Sequence, residues 1–487
     1  MLRTGAAFFI AAVVSAGPLQ AAAPQSAKAV IDTSAKTMGV DTLSSIKLWG
    51  SGMTYSLGQN NNANQPWPQT PLNDYVRAID FTQPTSRATA VTWAVAVTGG
   101  AAAQGAYQMN VPPSSTNWNQ QLEIWTTPWG FLKGAAANNA TLSSQTIGGR
   151  TYRVVSWNAP VKSPGGKPYR VVGYIGPGNL VERVDTWVEN PIFGDMQVKT
   201  TFSDYRDNNG LKYPTTTVQE RGGYPTFQAQ ILGVAANPAD IRQLVAIPAG
   251  GPGGPPGGPG GAAGPTSEKL ADGVYQLKGA YNALAVEFKD YVVLFEPGPQ
   301  NEARALAVIA ETKKLIPGKP IRYGVISHHH FDHTGGLAAV VGEGITIVTP
   351  TVNKAFLTNA MSGPRTLAPD SMSKSGRKPV IEAMTTDKKV FTDGTRTFEI
   401  HQIKGLPHAD GLVVGWLPKE KILVYADMFN FPSPSQPVPN PPVVGTGIFL
   451  DNLERLKIEP EKILSVHTMN PDRLVTMQDI RASLGRK

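Results

Sequence analysis

The spacing of apolar positions changes partway along the chain. Up to about residue 248, apolar positions fall in many short runs rich in Val, Thr, Tyr and Trp: Ile46 to Thr54, Ala88 to Val97, Tyr152 to Trp157, Tyr169 to Ile175, Met196 to Phe202 and Phe227 to Leu232. Short runs of β-branched and aromatic residues mark strands, so antiparallel β structure is expected here. Between two such runs, Asp207-Asn208-Asn209-Gly210 predicts a hairpin, because Asn and Gly tolerate the positive φ angles of a tight turn. From about residue 267 the pattern differs. Continuous apolar runs such as Tyr291 to Phe295 and Ile321 to Ser327 alternate with helical stretches, Gln300 to Leu315 and Phe449 to Leu456, which predicts an α/β unit.

The two patterns are separated by Ala249 to Gly261, a Gly/Pro run that cannot bury a core and reads as linker. The expected organisation is a signal peptide over 1–23, a β-rich domain over 24–248, a linker over 249–266 and an α/β domain over 267–487. The leader reading rests on Met1-Leu2-Arg3, a short apolar run from Ala6 to Val14, and the small residues Ala21-Ala22-Ala23 as a cleavage site. Cleavage near Ala23 implies a periplasmic or secreted protein. No other segment approaches the length of a membrane helix.

The chemistry is concentrated in His328-His329-His330-Phe331-Asp332-His333, which holds four of the seven histidines. On an extended segment alternate side chains point one way, so His328, His330 and Asp332 are expected to converge, with His333 approaching from another side as the chain turns. The run follows a buried strand and precedes Thr334-Gly335-Gly336 and an apolar helix from Leu337 to Val341, which places it at the carboxyl end of a strand. His329, between two ligand candidates, is expected to point away. His401, inside Thr397 to Ile403, reads as structural.

His-x-His-x-Asp-His followed by Thr334 and two glycines resembles the metallo-β-lactamase fold superfamily of metallohydrolases. That resemblance implies an αββα sandwich and further ligands downstream. His408 in Gly405-Leu406-Pro407-His408-Ala409-Asp410-Gly411 is similar to the third ligand of the first metal, Asp427 after Lys421 to Ala426 to the bridging acid, and His467 after Ile463 to Val466 to the final histidine. By this resemblance His328, His330 and His408 hold one metal, Asp332, His333 and His467 the second, and Asp427 lies between them. Two divalent ions are implied, zinc by the donor set, with iron or manganese as alternatives. Asp332 is implied to orient a metal-activated hydroxide and carry its proton. Glu296-Pro297-Gly298 stands where relatives commonly have Asp-x-Gly, and Glu296 is assigned a supporting role. Thr468-Met469-Asn470 replaces the glycine that commonly follows the last histidine, and Asn430 stands where some lactonases have a tyrosine.

With no cysteine in the chain, disulfides and the thiolate-using β-lactamase subclass are excluded, and Asp427 makes the site resemble the lactonase, glyoxalase II and phosphodiesterase branches. The expected activity is hydrolysis of an ester, lactone, thioester or related bond in a small molecule. Three alternatives remain: a mononuclear iron oxygenase like persulfide dioxygenase, a β-lactamase, and a periplasmic carrier whose metal domain is not catalytic. The carrier reading comes from the β-rich half, which holds eight of nine tryptophans and weakly resembles the half-barrels of periplasmic lipoprotein carriers, with a hydrophobic ligand on that domain. A formal charge of +8 without basic clusters argues against nucleic acid as a partner. The loops from Asn353 to Lys378 and from Phe429 to Val444 are expected to shape the pocket.

Overall fold

A computed structural model describes residues 26–94, 103–247, 264–431 and 442–486. The leader, the whole Gly/Pro run and the greater part of the 429–444 loop therefore lie outside the described residues.

The first half forms an eleven-stranded sheet, antiparallel throughout. Its order is fourth, third, second, first, then eleventh down to fifth, so the first strand, Ser45–Tyr55, pairs with the last, Tyr224–Ala236. Strands Gly194–Asn208 and Leu211–Arg221 meet at Asn209-Gly210, where both residues have positive φ, and this is the predicted hairpin. Helices Ala27–Met38, Trp118–Trp125 and Pro128–Ala137, which the strand-like runs did not announce, pack against the sheet. Their apolar faces, with Val30, Met38, Leu122 and Phe131, join Ile46, Leu72, Val155, Val171 and Val198 in one core. The cavity beneath them, lined by Leu48, Tyr75, Phe202 and Phe227, measures about 50 Å³, room for one or two waters.

The second half is a four-layer sandwich. A seven-stranded sheet, antiparallel through its first pairs and parallel from Val292–Phe295 onward, faces a five-stranded sheet. Their inner faces meet through Val286, Val293, Phe295, Val325, Phe398, Ile400, Val413 and Val424. Helices Glu302–Leu315, Leu337–Gly342 and Thr351–Ala360 cover one outer face, and Val444–Leu456 and Met477–Ser483 cover the other. Because both faces of each sheet are covered at their centres, strands such as Val292–Phe295, Val413–Leu417 and Ile422–Tyr425 read as unbroken apolar runs.

The halves dock closely. Buried Arg365 pairs with Asp370 at 2.5 Å and donates to the carbonyls of Pro191 and Ile192 across the seam, at 3.0 and 2.6 Å. Asp195 in turn accepts from the backbone of Thr366 and Leu367, at 3.0 and 2.8 Å.

Candidate metal centre

The site is assembled where strands of the two sheets end together. Val292–Phe295 leads to Glu296, Ile321–Val325 to the histidine run, Ile422–Tyr425 to Asp427 and Lys462–Ser465 to His467; His408 lies on the connection from Thr397–Gln402 to Val413–Leu417. All seven candidate ligands converge. His328, His330 and His408 form one group, Asp332, His333 and His467 another, and His328, His333 and Asp427 a third joining them, with the offered atoms of each group within 4.8 Å of one another.

The expected route to this convergence is corrected in one respect. The chain leaves the strand at Val325, and Phe331–Thr334 is a helical turn capped by His330. Asp332 is therefore swung away from His328 and His330 and meets His333 and His467, a grouping that alternate residues of an extended segment would not produce.

Three of the five ligand imidazoles are oriented through their second nitrogen, whereas His408 Nδ1 is buried without a hydrogen-bond partner. Ser327 Oγ lies 2.9 Å from His328 Nδ1, and His333 Nδ1 donates to Glu296 Oε2 at 3.0 Å. Glu296 is fully buried and its other oxygen accepts from Ser327 N at 2.6 Å, so the supporting acid locks two neighbours of the cluster. His330 Nε2 donates to the Asn60 carbonyl at 3.0 Å, leaving Nδ1 with its lone pair for a ligand. His329 Nε2 donates to the same carbonyl at 2.8 Å and stands outside the three groups. His401 pairs with Glu399 at 2.8 Å and also lies outside them.

The electrostatics are those of a cation site. Burial, then the charges of His333 and His330, pushes His328 well below the ordinary imidazole value; burial, then His408, pushes His330 down to about 3. Burial would lower His333 too, but Glu296 and Asp427 override it and raise it well above that value, the pull that a cation at Nε2 would feel. Burial would raise Asp427 and Asp332; His333 overrides it in both, reinforced at Asp332 by the Gln59 hydrogen bond, and both carboxyls stay below their usual range.

The residues fit a pair of metal ions. His328 Nε2 faces His408 Nε2 at 3.2 Å, and His333 Nε2 faces His467 Nε2 at 3.2 Å. A tetrahedral ion with bonds of about 2.0–2.1 Å spaces its ligands about 3.3–3.4 Å apart. Asp427 Oδ2 lies 2.9, 3.7 and 3.9 Å from the Nε2 atoms of His333, His328 and His408, yet it is buried without a well-directed hydrogen bond. An acceptor held among imidazole nitrogens in this way is what a shared cation would satisfy.

Three residues at the site carry no motif. Tyr281 donates to Asp332 Oδ2 at 3.0 Å with its ring 4.5 Å from that of His467. Gln59 donates to Asp332 Oδ1 at 2.9 Å, and Asn60 supplies the carbonyl already described. The last two come from the first domain.

A four-layer sandwich with paired histidine and carboxylate groups at one end of its strands is a metallohydrolase architecture, and residues 278–463 match the family model of the Metallo-beta-lactamase superfamily. The second half of the chain belongs to that superfamily and is a hydrolase or related metalloenzyme domain. Among curated proteins it is similar to a linear primary-alkylsulfatase from Pseudomonas sp, 35% identical over 77 residues, or 15% of this chain; the chain spans 11% of that relative's length. Similar solved structures include a metallo-beta-lactamase from Pontibacter korlensis (19% identity, 45% of this chain, 97% of that one, TM-score 0.35). The rubredoxin oxygen:oxidoreductase of Desulfovibrio gigas (18%, 45% and 61%, 0.33) is another. The mono-zinc FIM-1 metallo-beta-lactamase of Pseudomonas aeruginosa (19%, 45% and 93%, 0.33) is a third. No helix among the described residues is long and apolar enough to cross a membrane.

Proposed function

We propose that the chain is an exported binuclear zinc hydrolase acting on an ester-type bond of a small molecule. The observation that carries this is the sharing of Asp427 between two complete ligand groups. His328, His330 and His408 would hold one ion and Asp332, His333 and His467 the other. Bound there, the ions supply Lewis acidity and bring the pKa of a water toward neutrality. The chain's own residues do the rest. Asp332, whose Oδ2 faces the cluster, orients the attacking water, takes its proton and returns it to the leaving group. Tyr281 is a neutral phenol, raised above its ordinary value by burial and then by Asp332; its one O–H donates to Asp332 Oδ2 beside His467, and its proposed role is to swing that hydrogen onto an oxyanion as charge develops there. Glu296 keeps His333 turned toward Asp427.

The similarity to a linear primary-alkylsulfatase adds sulfate esters to the carboxylic esters, lactones and thioesters that the donor set supports. Export is supported by the basic start, short apolar run and alanine cluster of residues 1–23.

The test is elemental analysis of the purified full-length protein beside His330→Ala, followed by a screen of alkyl sulfates, lactones, thioesters and β-lactams. About two zinc ions per chain, depleted in the variant together with turnover, is the expected result. A metal-free wild type, or a variant with full metal and full rate, overturns the proposal; a single iron redirects it to oxygenase chemistry.

A further inference from the structure

Resting on the metal-centre reading above, we infer that the first domain supplies a wall of the active site: its loop Ser56 to Pro68 closes the ligand cluster, and Gln59 is the positioning residue for Asp332. The loop joins strands Ser45–Tyr55 and Gln69–Asp80 and spans both segments that carry the first metal's histidines. Phe331 N donates to the Gly58 carbonyl at 3.2 Å and Asp410 N to the Asn61 carbonyl at 2.6 Å. The Asn61 and Asn62 amides donate to the Pro407 carbonyl at 2.7 Å and to Asp410 Oδ2 at 2.9 Å. Trp67, from the same loop, packs edge-on to Phe331 and Phe356, at 5.9 and 6.4 Å between ring centroids. The approach is so close that a Cβ on Gly58, which has φ +79°, would sit 2.2 Å from the Phe331 ring.

Within this seam, two contacts reach the ligands. The Asn60 carbonyl accepts from Nε2 of His330 and so fixes which nitrogen is free to ligate. The Gln59 amide holds Asp332 Oδ1, leaving Oδ2 facing His333 Nε2 at 3.4 Å and His467 Nε2 at 3.8 Å. Asp332 is one-third exposed and rides on a single helical turn, and the other side-chain donor on it, Tyr281, sits on that same Oδ2. Among the described residues, no other first-domain donor reaches the carboxylate to keep its ligating oxygen from rotating out of line. A loop that served docking alone has no need to grip the ligand oxygen remote from the cluster.

The test uses the full chain loaded with zinc: Gln59→Ala, and Gln59→Met, which keeps the volume and removes the donor, with Asn64→Ala as control. Asn64 belongs to the same loop, but its amide bonds the Val352 carbonyl, away from the ligands. Chelator-driven zinc release and the thermal midpoint of the metal-free chain are read together. Both Gln59 variants are expected to release one of the two ions about 10–100-fold faster with the metal-free midpoint unchanged, and Asn64→Ala to release at the wild-type rate. Wild-type release in the Gln59 variants overturns this inference alone, as does equal acceleration in Asn64→Ala. A wild-type chain that takes up no zinc overturns the metal-centre reading and this inference with it.

Discussion

At the scale of single residues, the contacts around Asp332 and His333 separate two kinds of help. Tyr281 donates to Asp332 Oδ2 and is placed for substrate, so Tyr281→Phe is expected to keep its metal and lose about a hundredfold in kcat, read by elemental analysis and steady-state rates on one preparation. The Glu296 carboxylate hydrogen-bonds His333 and Ser327 and lies outside the three ligand groups, so Glu296→Gln is expected to weaken metal retention about 10–100-fold, read by competition with a chelator. The seven ligand candidates were readable because all are histidines or aspartates, six of them just beyond strand ends and four within one run. Gln59 and Tyr281 were not, being ordinary residue types 273 and 51 positions from the carboxylate they bond. A run such as Gln59-Asn60-Asn61-Asn62 reads as solvated loop, and only the fold shows that the amides of Gln59, Asn61 and Asn62 are spent on another domain.

Among the elements, those with long-range partners were read well and those with short local ones poorly. The strands carried β-rich or continuous apolar signals, whereas Trp118–Trp125 and Pro128–Ala137 are short and aromatic, the second with two glycines, and their helicity comes from packing on the sheet. The turn Phe331–Thr334 escaped because an extended reading of a six-residue motif ignores the cap at His330. Two predictions belong here. Gly58→Ala must accommodate both a left-handed residue and the Phe331 ring, and is expected to destabilise the protein by about 1–3 kcal/mol, measured by denaturant titration. The final helix, Met477–Ser483, is capped by Thr476 and Asp479, with Arg473 on both oxygens of the acid at 2.8 and 2.7 Å. These bonds, Arg473 foremost, lower the Asp479 carboxyl to about 2. A depressed carboxyl contributes stability above its unfolded value, near about pH 4, and loses it as pH falls through the folded value. Asp479→Asn should therefore melt below the wild type at pH 7, with the gap closing at about pH 2 in paired thermal melts.

For the whole molecule, the seam is the decisive feature. Arg365 and Asp370 are each under a tenth exposed, and Arg365 also satisfies two carbonyls of the first domain. Arg365→Met strands a buried carboxylate and both carbonyls, and is expected to cost about 3–5 kcal/mol and to split one calorimetric transition into two. The division into a β-rich and an α/β half followed from the pattern of apolar runs and the Gly/Pro run, but their docking did not, because composition says nothing about which loops meet. The loop that carries Gln59 and Asn60 has a consequence for descent. A chain whose ligands lean on another domain's backbone and amides cannot drift independently in its two halves. Among homologues that keep both halves, positions 59 to 62 should covary with 330 to 332 and 407 to 410, and where the loop is replaced, the neighbours of Asp332 should have changed with it.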